Sequence, residues 1–213
     1  MIKKELLQLF ATPLLITKYE GDISKELKFI EKLKYEPNGK NGNFRSTDSY
    51  IFKKKQLKKI KDFCKESVNI FAKQVWQSTD NLMITQCWAN RNPKGSIHHE
   101  HLHPNSIISG VMYFRLDKHL PPIMFSKTQF EMLKLNYEKY NSLNSQTFYL
   151  PAVAGELILF PSYLRHSVPI NTSDDVRVSI SFNTFADNIG SEKDLTELNL
   201  RKIYESQWLH IQN

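Results

Sequence analysis

Two periodicities divide the chain. In the N-terminal third, apolar residues recur three and four apart. Ile23, Leu27, Ile30 and Leu33 form one such series, and Leu57, Ile60, Phe63, Val68, Phe71 and Val75 form another. That spacing predicts two helices with one buried face each. Asp22 can cap the first, which is expected to end near Pro37, and Ser78-Thr79-Asp80-Asn81 stops the second, expected over about 54–77. From Leu82 onward the pattern shifts to alternation and short apolar runs. Residues 83–90, 107–114, 122–125, 147–150, 156–160 and 176–185 read as strands, and so many at short spacing suggest a barrel or sandwich.

Shorter signals fill the gaps. Residues 9–16 read as an opening strand whose Pro13 suits a sheet edge, and residues 46–52 as a further short strand. Residues 38–43, rich in Asn and Gly, form a loop by composition. The polar, Tyr- and Asn-rich stretch 127–144 interrupts the strands and is a candidate lid or substrate-contacting insert. Leu195, Leu198, Ile203 and Tyr204 predict a closing helix. With no internal repeat and no linker, one domain over 1–213 is expected. It would have a helical part at about 22–77, a β core at about 82–185 and a C-terminal helix at about 192–208.

One strand has an unusual inner face. In Val176-Arg177-Val178-Ser179-Ile180-Ser181-Phe182-Asn183, the polar Arg177, Ser179 and Ser181 share one side and the apolar residues share the other. Such a face calls for a polar ligand. A buried Arg needs an anionic partner and suits a carboxylate; the plain alternative is a structural ion pair.

Charge adds a second candidate partner. The chain has 29 Lys and Arg against 22 Asp and Glu, a net +7, so a polyanion has to be considered. Much of the excess is the lysine run that follows Phe52. It coincides with the wet face of the second predicted helix, and a solvated helix face is preferred to a nucleic-acid site. Cys64 and Cys87 lack metal-ligand spacing and read as buried thiols. There is no apolar leader after Met1-Ile2-Lys3-Lys4-Glu5 and no run long enough to span a membrane. A cytoplasmic protein is expected, in a host's cytoplasm if the source is viral.

Chemistry concentrates in Ser96-Ile97-His98-His99-Glu100-His101-Leu102-His103-Pro104-Asn105-Ser106, which holds four of the seven histidines. In a strand, residues i and i+2 project to the same side, so His101 and His103 can face one metal. His99 with His101, or His98 with Glu100, has the same spacing. A further ligand must come from elsewhere, and His166, beyond the apolar run 155–160 and Pro161, should emerge at a strand end. Three ligands on one face of an octahedral metal leave three positions open, the arrangement of non-haem Fe(II) oxygenases. His98, His99 and His119 taken singly are better read as solvent-facing or supporting residues.

These blocks together resemble the 2-oxoglutarate- and Fe(II)-dependent dioxygenases, in particular an uncharacterised branch common in phage and bacterial genomes. The carrying residues are Leu9-Phe10-Ala11-Thr12-Pro13, Cys87-Trp88-Ala89-Asn90, and the run from His101-Leu102-His103-Pro104-Asn105-Ser106 through Ser109-Gly110-Val111-Met112-Tyr113. Residues 155–161, His166 and Arg177-Val178-Ser179-Ile180-Ser181-Phe182-Asn183 complete them. The resemblance implies a mainly β fold with flanking helices and a double-stranded β-helix core, jelly-roll and cupin-like. It implies Fe(II) on His101, His103 and His166, with 2-oxoglutarate as cosubstrate and O₂ as oxidant. Arg177 would hold the distal carboxylate of 2-oxoglutarate, helped by Ser179 and by Tyr113, which matches a cosubstrate-binding tyrosine of prolyl hydroxylases; Asn90 is a further candidate. The implied reaction hydroxylates a C–H bond of a peptide or protein residue or of a small molecule, with release of succinate and CO₂.

One departure stands out: the superfamily normally has His-x-Asp or His-x-Glu where this chain has His-x-His. Glu100 would restore the carboxylate if the register were shifted. Two alternatives therefore stand beside the implied one. In the first, a three-histidine cupin-type dioxygenase does without 2-oxoglutarate and Arg177 binds a substrate carboxylate. In the second, a non-enzymatic barrel holds a structural metal. Substrate and oligomeric state, a homodimer included, stay open.

Overall fold

The computed structural model describes residues 2–127, 135–186 and 188–208. Its centre is a seven-stranded antiparallel sheet in the order β1-β9-β6-β11-β4-β3-β2. These are β1 (Leu15–Lys18), β2 (Tyr35–Pro37), β3 (Phe44–Ser46), β4 (Leu82–Asn92), β6 (Ile108–Arg115), β9 (Glu156–Pro161) and β11 (Arg177–Ala186). A second antiparallel sheet, β5-β10-β7-β8, is built from β5 (His98–His101), β7 (Ile123–Ser126), β8 (Thr147–Leu150) and β10 (His166–Val168). Among the described residues the two sheets do not close into a barrel. The dominant antiparallel core with flanking helices agrees with the sequence reading at that level.

Alternation along the strands of the large sheet makes two cores. On one face, Met112, Phe114, Leu157, Leu159, Val178, Ile180 and Phe182 pack with Ile30 of α1 (Ser24–Glu31) and with Ile60, Cys64 and Val68 of α2 (Lys58–Ile70). On the other, Val111, Tyr113, Ile158 and Phe160 meet Ile123 and Phe125 of the small sheet. The second face is the one that carries Arg177, Ser179 and Ser181. At Gly110, directly opposite Phe182, a Cβ would stand 2.2 Å from the Phe182 ring, so only glycine lets these strands keep their spacing there.

The helices differ from expectation at their ends. The second begins as a 3₁₀ turn at Lys55–Leu57, runs as α2, and closes in a π turn at Phe71–Val75, where Gln77 takes a positive φ of 54°. Its lysines are exposed except the half-buried Lys61, as the solvated face requires. The first helix ends at Glu31, and Pro37 instead closes β2, so helix gives way to strand earlier than the apolar spacing suggested. The opening strand is shorter than predicted: only Leu15–Lys18 pairs with β9, and Leu9 and Phe10 are exposed. The strand expected at 46–52 splits, because Asp48 Oδ1 accepts from the Tyr50 backbone N–H at 2.8 Å and turns the chain into a 3₁₀ turn at Ile51–Lys53. At the C-terminus a two-strand pair, β12 (Asn188–Ile189) with β13 (Leu198–Asn199), precedes α3 (Leu200–Trp208). Asn199 Oδ1 accepts from the Lys202 N–H at 3.0 Å and so caps that helix. Part of the proposed insert at 127–144 lies outside the described residues.

Cys64 and Cys87 are free and buried, and burial pushes both thiols well above their ordinary range, which leaves them unreactive. No described helix is long and apolar enough to cross a membrane.

Candidate metal centre

The small sheet brings the histidines together. His166 opens β10 and pairs directly with His101 at the end of β5; Val168 then pairs with His98, so two steps on β10 face three on β5. That extra residue is a β-bulge, and it turns His98 to the same side as His101 instead of the opposite one. Their rings stack at 4.4 Å. His103, two residues beyond His101, is anchored by its backbone N–H to the Ser162 carbonyl at 3.0 Å.

Candidate ligand atoms of His101, His103 and His166 all lie within 4.8 Å of one another. Backbone contacts decide which nitrogens these are. His101 Nδ1 lies 2.8 Å from the His99 carbonyl and His166 Nδ1 lies 3.0 Å from the Leu164 carbonyl. A carbonyl only accepts, so each Nδ1 carries its proton and each Nε2 is left as a lone-pair donor. His103 Nε2 and His166 Nε2 face each other at 3.2 Å, with their rings nearly parallel. His98 is held differently: its Nε2 is 3.2 Å from Asn38 Nδ2, which takes that lone pair out of the cluster. The sequence singled out His98 only to set it aside, and nothing short of the bulge could have revealed where it lies.

Burial is the first cause of a common shift in these rings. It pushes His166 down to about 3, with the charges of His101 and His103 adding to the effect and the Leu164 carbonyl opposing it. His103 falls to about 4 through burial and His101, against an interaction with Asn183 that works the other way. His98 falls to about 2, from burial and then from His101, His166, His99 and Arg177. In the unfolded chain these groups titrate near 6.5. Between that value and about 4 the unfolded state therefore takes up protons that the folded state refuses, and stability is lost as pH falls. The slope is about 1.4 kcal/mol per pH unit for each neutral histidine. Urea unfolding of metal-free protein at pH 7 and pH 5 should show a loss of at least about 2 kcal/mol, the share of a single histidine.

Among the described residues no carboxylate joins the cluster. Glu100 is exposed on the other side of β5, where it accepts from Ser126 Oγ at 2.5 Å and from Arg165 Nη1 at 3.5 Å. His99 and His119 are exposed as well. Aromatic rings close one flank of the cluster: Phe160 and Phe125 lie 4.7 and 6.2 Å from His166, and Trp88 stacks on His103 at 5.8 Å.

Across the gap, the inner face of the large sheet is polar along β11 and the end of β4. Arg177 is 2% exposed, and its guanidinium sits 5.0 Å from the Tyr113 ring. Its Nη1 donates to Asn92 Oδ1 at 3.3 Å, while its Nε has no partner and no described acid pairs with it. Burial lowers its pKa, and Tyr113 opposes that shift. Burial likewise raises the Tyr113 phenol, partly offset by the charge and close polar contact of Arg177, but the two groups are not aligned for a well-formed hydrogen bond. Ser179 is buried between Tyr113 and Asn90 in the strand register. The Asn90 amide is already engaged, accepting from Asn43 and donating to Ser181. Asn92 escaped the sequence reading because Asn92-Pro93-Lys94-Gly95 looks like a turn; it closes β4 instead. A cleft of about 250 Å³ lined by Tyr35, Phe44, Arg91 and Pro93 is unrelated to this site. Arg91 alternates with Asn90 and Asn92 and so opens on the opposite face.

Three neutral imidazoles gathered between two antiparallel sheets make a candidate centre for a divalent transition metal. The chain is similar to the 2OG-Fe(II) oxygenases over part of its length: the family model described as "Putative 2OG-Fe(II) oxygenase" matches residues 86–183, the stretch that holds every one of these groups. Solved structures share the fold. The α-ketoglutarate-dependent epimerase SnoN from nogalamycin biosynthesis aligns with a TM-score of 0.63 at 10% identity, over 83% of this chain and 80% of its own. HygX from Streptomyces hygroscopicus, with nickel, 2-oxoglutarate and hygromycin B bound, aligns at 0.60 and 12% identity over 82% and 83%. A Pseudomonas putida prolyl-4-hydroxylase aligns at 0.55 and 12% identity over 82% and 94%. No curated protein matches the chain.

Proposed function

We propose that this protein is a non-haem iron oxygenase whose metal is held by three neutral imidazoles, those of His101, His103 and His166. The observation that carries the reading is the convergence of their ligand atoms within 4.8 Å. Nitrogen donors of this kind suit Fe(II), with positions left for other ligands. Bound iron would supply the O₂ activation and C–H oxidation that no side chain can perform. The chain's own groups would orient the metal through the Leu164 and His99 carbonyls. Phe125, Phe160 and Trp88 would keep water off one flank, and Arg177 would neutralise an incoming carboxylate.

What brings that carboxylate is the finer question, and we assign it to 2-oxoglutarate. The support is the family-model match over residues 86–183 together with a buried guanidinium that lacks an acid, beside a tyrosine hydroxyl that makes no well-formed hydrogen bond. On this reading the two-sheet core is a double-stranded β-helix, residues 1–213 form one domain, and the product is a hydroxylated peptide, protein residue or small molecule, with succinate and CO₂ released. The three-histidine set, with Glu100 turned away, favours the cupin-type alternative, in which Arg177 takes a carboxylate of the substrate itself. Adding 2-oxoglutarate anaerobically to the Fe(II) protein separates the two. A weak visible charge-transfer band, then succinate on admission of air, is the expected result. Iron uptake with neither band nor succinate would exclude 2-oxoglutarate as cosubstrate and leave the cupin-type dioxygenase and the non-enzymatic metal barrel.

A further inference from the structure

Asn92 lies directly opposite Arg177 in the β4–β11 ladder and is fully buried. Its contact with Arg177 fixes which way the amide points. A guanidinium has donors only, so the atom 3.3 Å from Nη1 must be the amide oxygen. Asn92 Nδ2 is thereby turned elsewhere, and it has no acceptor. Arg177 Nε and the Tyr113 hydroxyl are buried too, and although the two groups are in contact neither atom makes a well-formed hydrogen bond. These three donors stand on three neighbouring strands, β4, β11 and β6.

Folded chains rarely leave one buried donor unpaired, let alone three side by side around a positive charge. A single group answers all of them. A carboxylate offers two oxygens with about four lone-pair sites and carries the charge that Arg177 lacks. Asn92 then has two tasks at once: its oxygen steadies the guanidinium and its nitrogen donates to the same ligand. Resting on the cosubstrate reading above, we propose that Asn92 is a binding residue for 2-oxoglutarate, donating through Nδ2 to the distal carboxylate that Arg177 neutralises.

The proposal makes Asn92→Asp an informative variant. It is nearly isosteric, but it exchanges the free donor for an anion placed against Arg177. The guanidinium would be satisfied from within the chain, and an incoming carboxylate would meet a like charge. Metal-free and Ni(II)-loaded forms of wild type, Asn92→Ala and Asn92→Asp can be compared by thermal melting and by calorimetric titration with nickel and then with 2-oxoglutarate.

Wild type should bind 2-oxoglutarate. Asn92→Ala should bind it about 10-fold more weakly and Asn92→Asp more than roughly 100-fold more weakly, as expected for hydrogen bonds to a charged group and for an added like charge. Nickel affinity should stay within about threefold in both, since neither change touches the imidazoles. Metal-free Asn92→Asp should melt higher than wild type, by roughly 5 °C. An Asp variant that binds 2-oxoglutarate as wild type does, or that melts below wild type, overturns the role of Asn92 and leaves the cosubstrate reading standing. A wild type that takes up nickel but not 2-oxoglutarate overturns both.

Discussion

His166→Ala protein is expected to lose its metal, with affinity for Fe(II) or Ni(II) down at least about 100-fold and no oxygenase turnover, while the chain stays folded. Removing one of three nitrogen donors is costlier than disturbing a supporting contact, for which losses of about 10–100-fold are typical. His166 also sits on the sheet that positions the other two, paired with His101 and facing His103 Nε2 at 3.2 Å. In metal-free wild type those two nitrogens already stand 3.2 Å apart. Binding should therefore raise its melting temperature, since a ligand at about 1,000 times its Kd adds about 4 kcal/mol. The same addition should leave the alanine variant's melting curve where it was. Glu100→Ala is the matched control: its carboxylate is spent on Ser126 and Arg165, so metal affinity should change by less than about threefold. A collapse of affinity in Glu100→Ala, with little change in His166→Ala, would return the carboxylate to the ligand set.

The sequence made the two-faced strand β11 legible because alternation in a strand is strict. Arg177, Ser179 and Ser181 face the small sheet, and Val178, Ile180 and Phe182 face the helices. Helix α2 was legible for the same reason, through its period. Element ends were not, because they depend on local hydrogen bonds that composition hides: Asp48 turning residues 46–52, Asn199 starting α3, the π closure at Phe71–Val75. Residues 195 and 198 fitted a helix by spacing, yet Leu198 pairs with Ile189 across a short ladder.

The site divides along the same line. His101-x-His103 could be read from the i, i+2 rule, and the remote His166 from its place after an apolar strand. The bulge opposite His166 and Val168 could not, since it is a property of how two strands meet. It alone puts His98 over His101 while Glu100 faces away. Asn92 was hidden by an ambiguity of residue type: Asn before Pro reads as a turn, and only the ladder register sets it against Arg177.

Arg177→Met protein should be more stable than wild type when no ligand is present, and nearly unable to bind 2-oxoglutarate. Burying a charge without a partner costs several kcal/mol, and replacing it with an apolar chain of similar length removes that cost; gains of about 1–4 kcal/mol are usual when buried ionic groups are exchanged this way. The 2% exposure of Arg177 and the absence of any described acid beside it put it in that class. The two effects have one origin, because the charge that destabilises the ligand-free fold is the charge that a carboxylate relieves. Lysine should not rescue binding: its ammonium cannot present two parallel donors, and in so dry a place it tends to shed its proton. Urea unfolding of metal-free protein and 2-oxoglutarate titration of the Ni(II) form measure the two halves independently. A loss of more than about 100-fold in affinity alongside a gain in stability is the expected pair. Stability gained with 2-oxoglutarate affinity unchanged would mean that the diacid docks elsewhere, and Arg177 would then be the receptor for the substrate's own carboxylate.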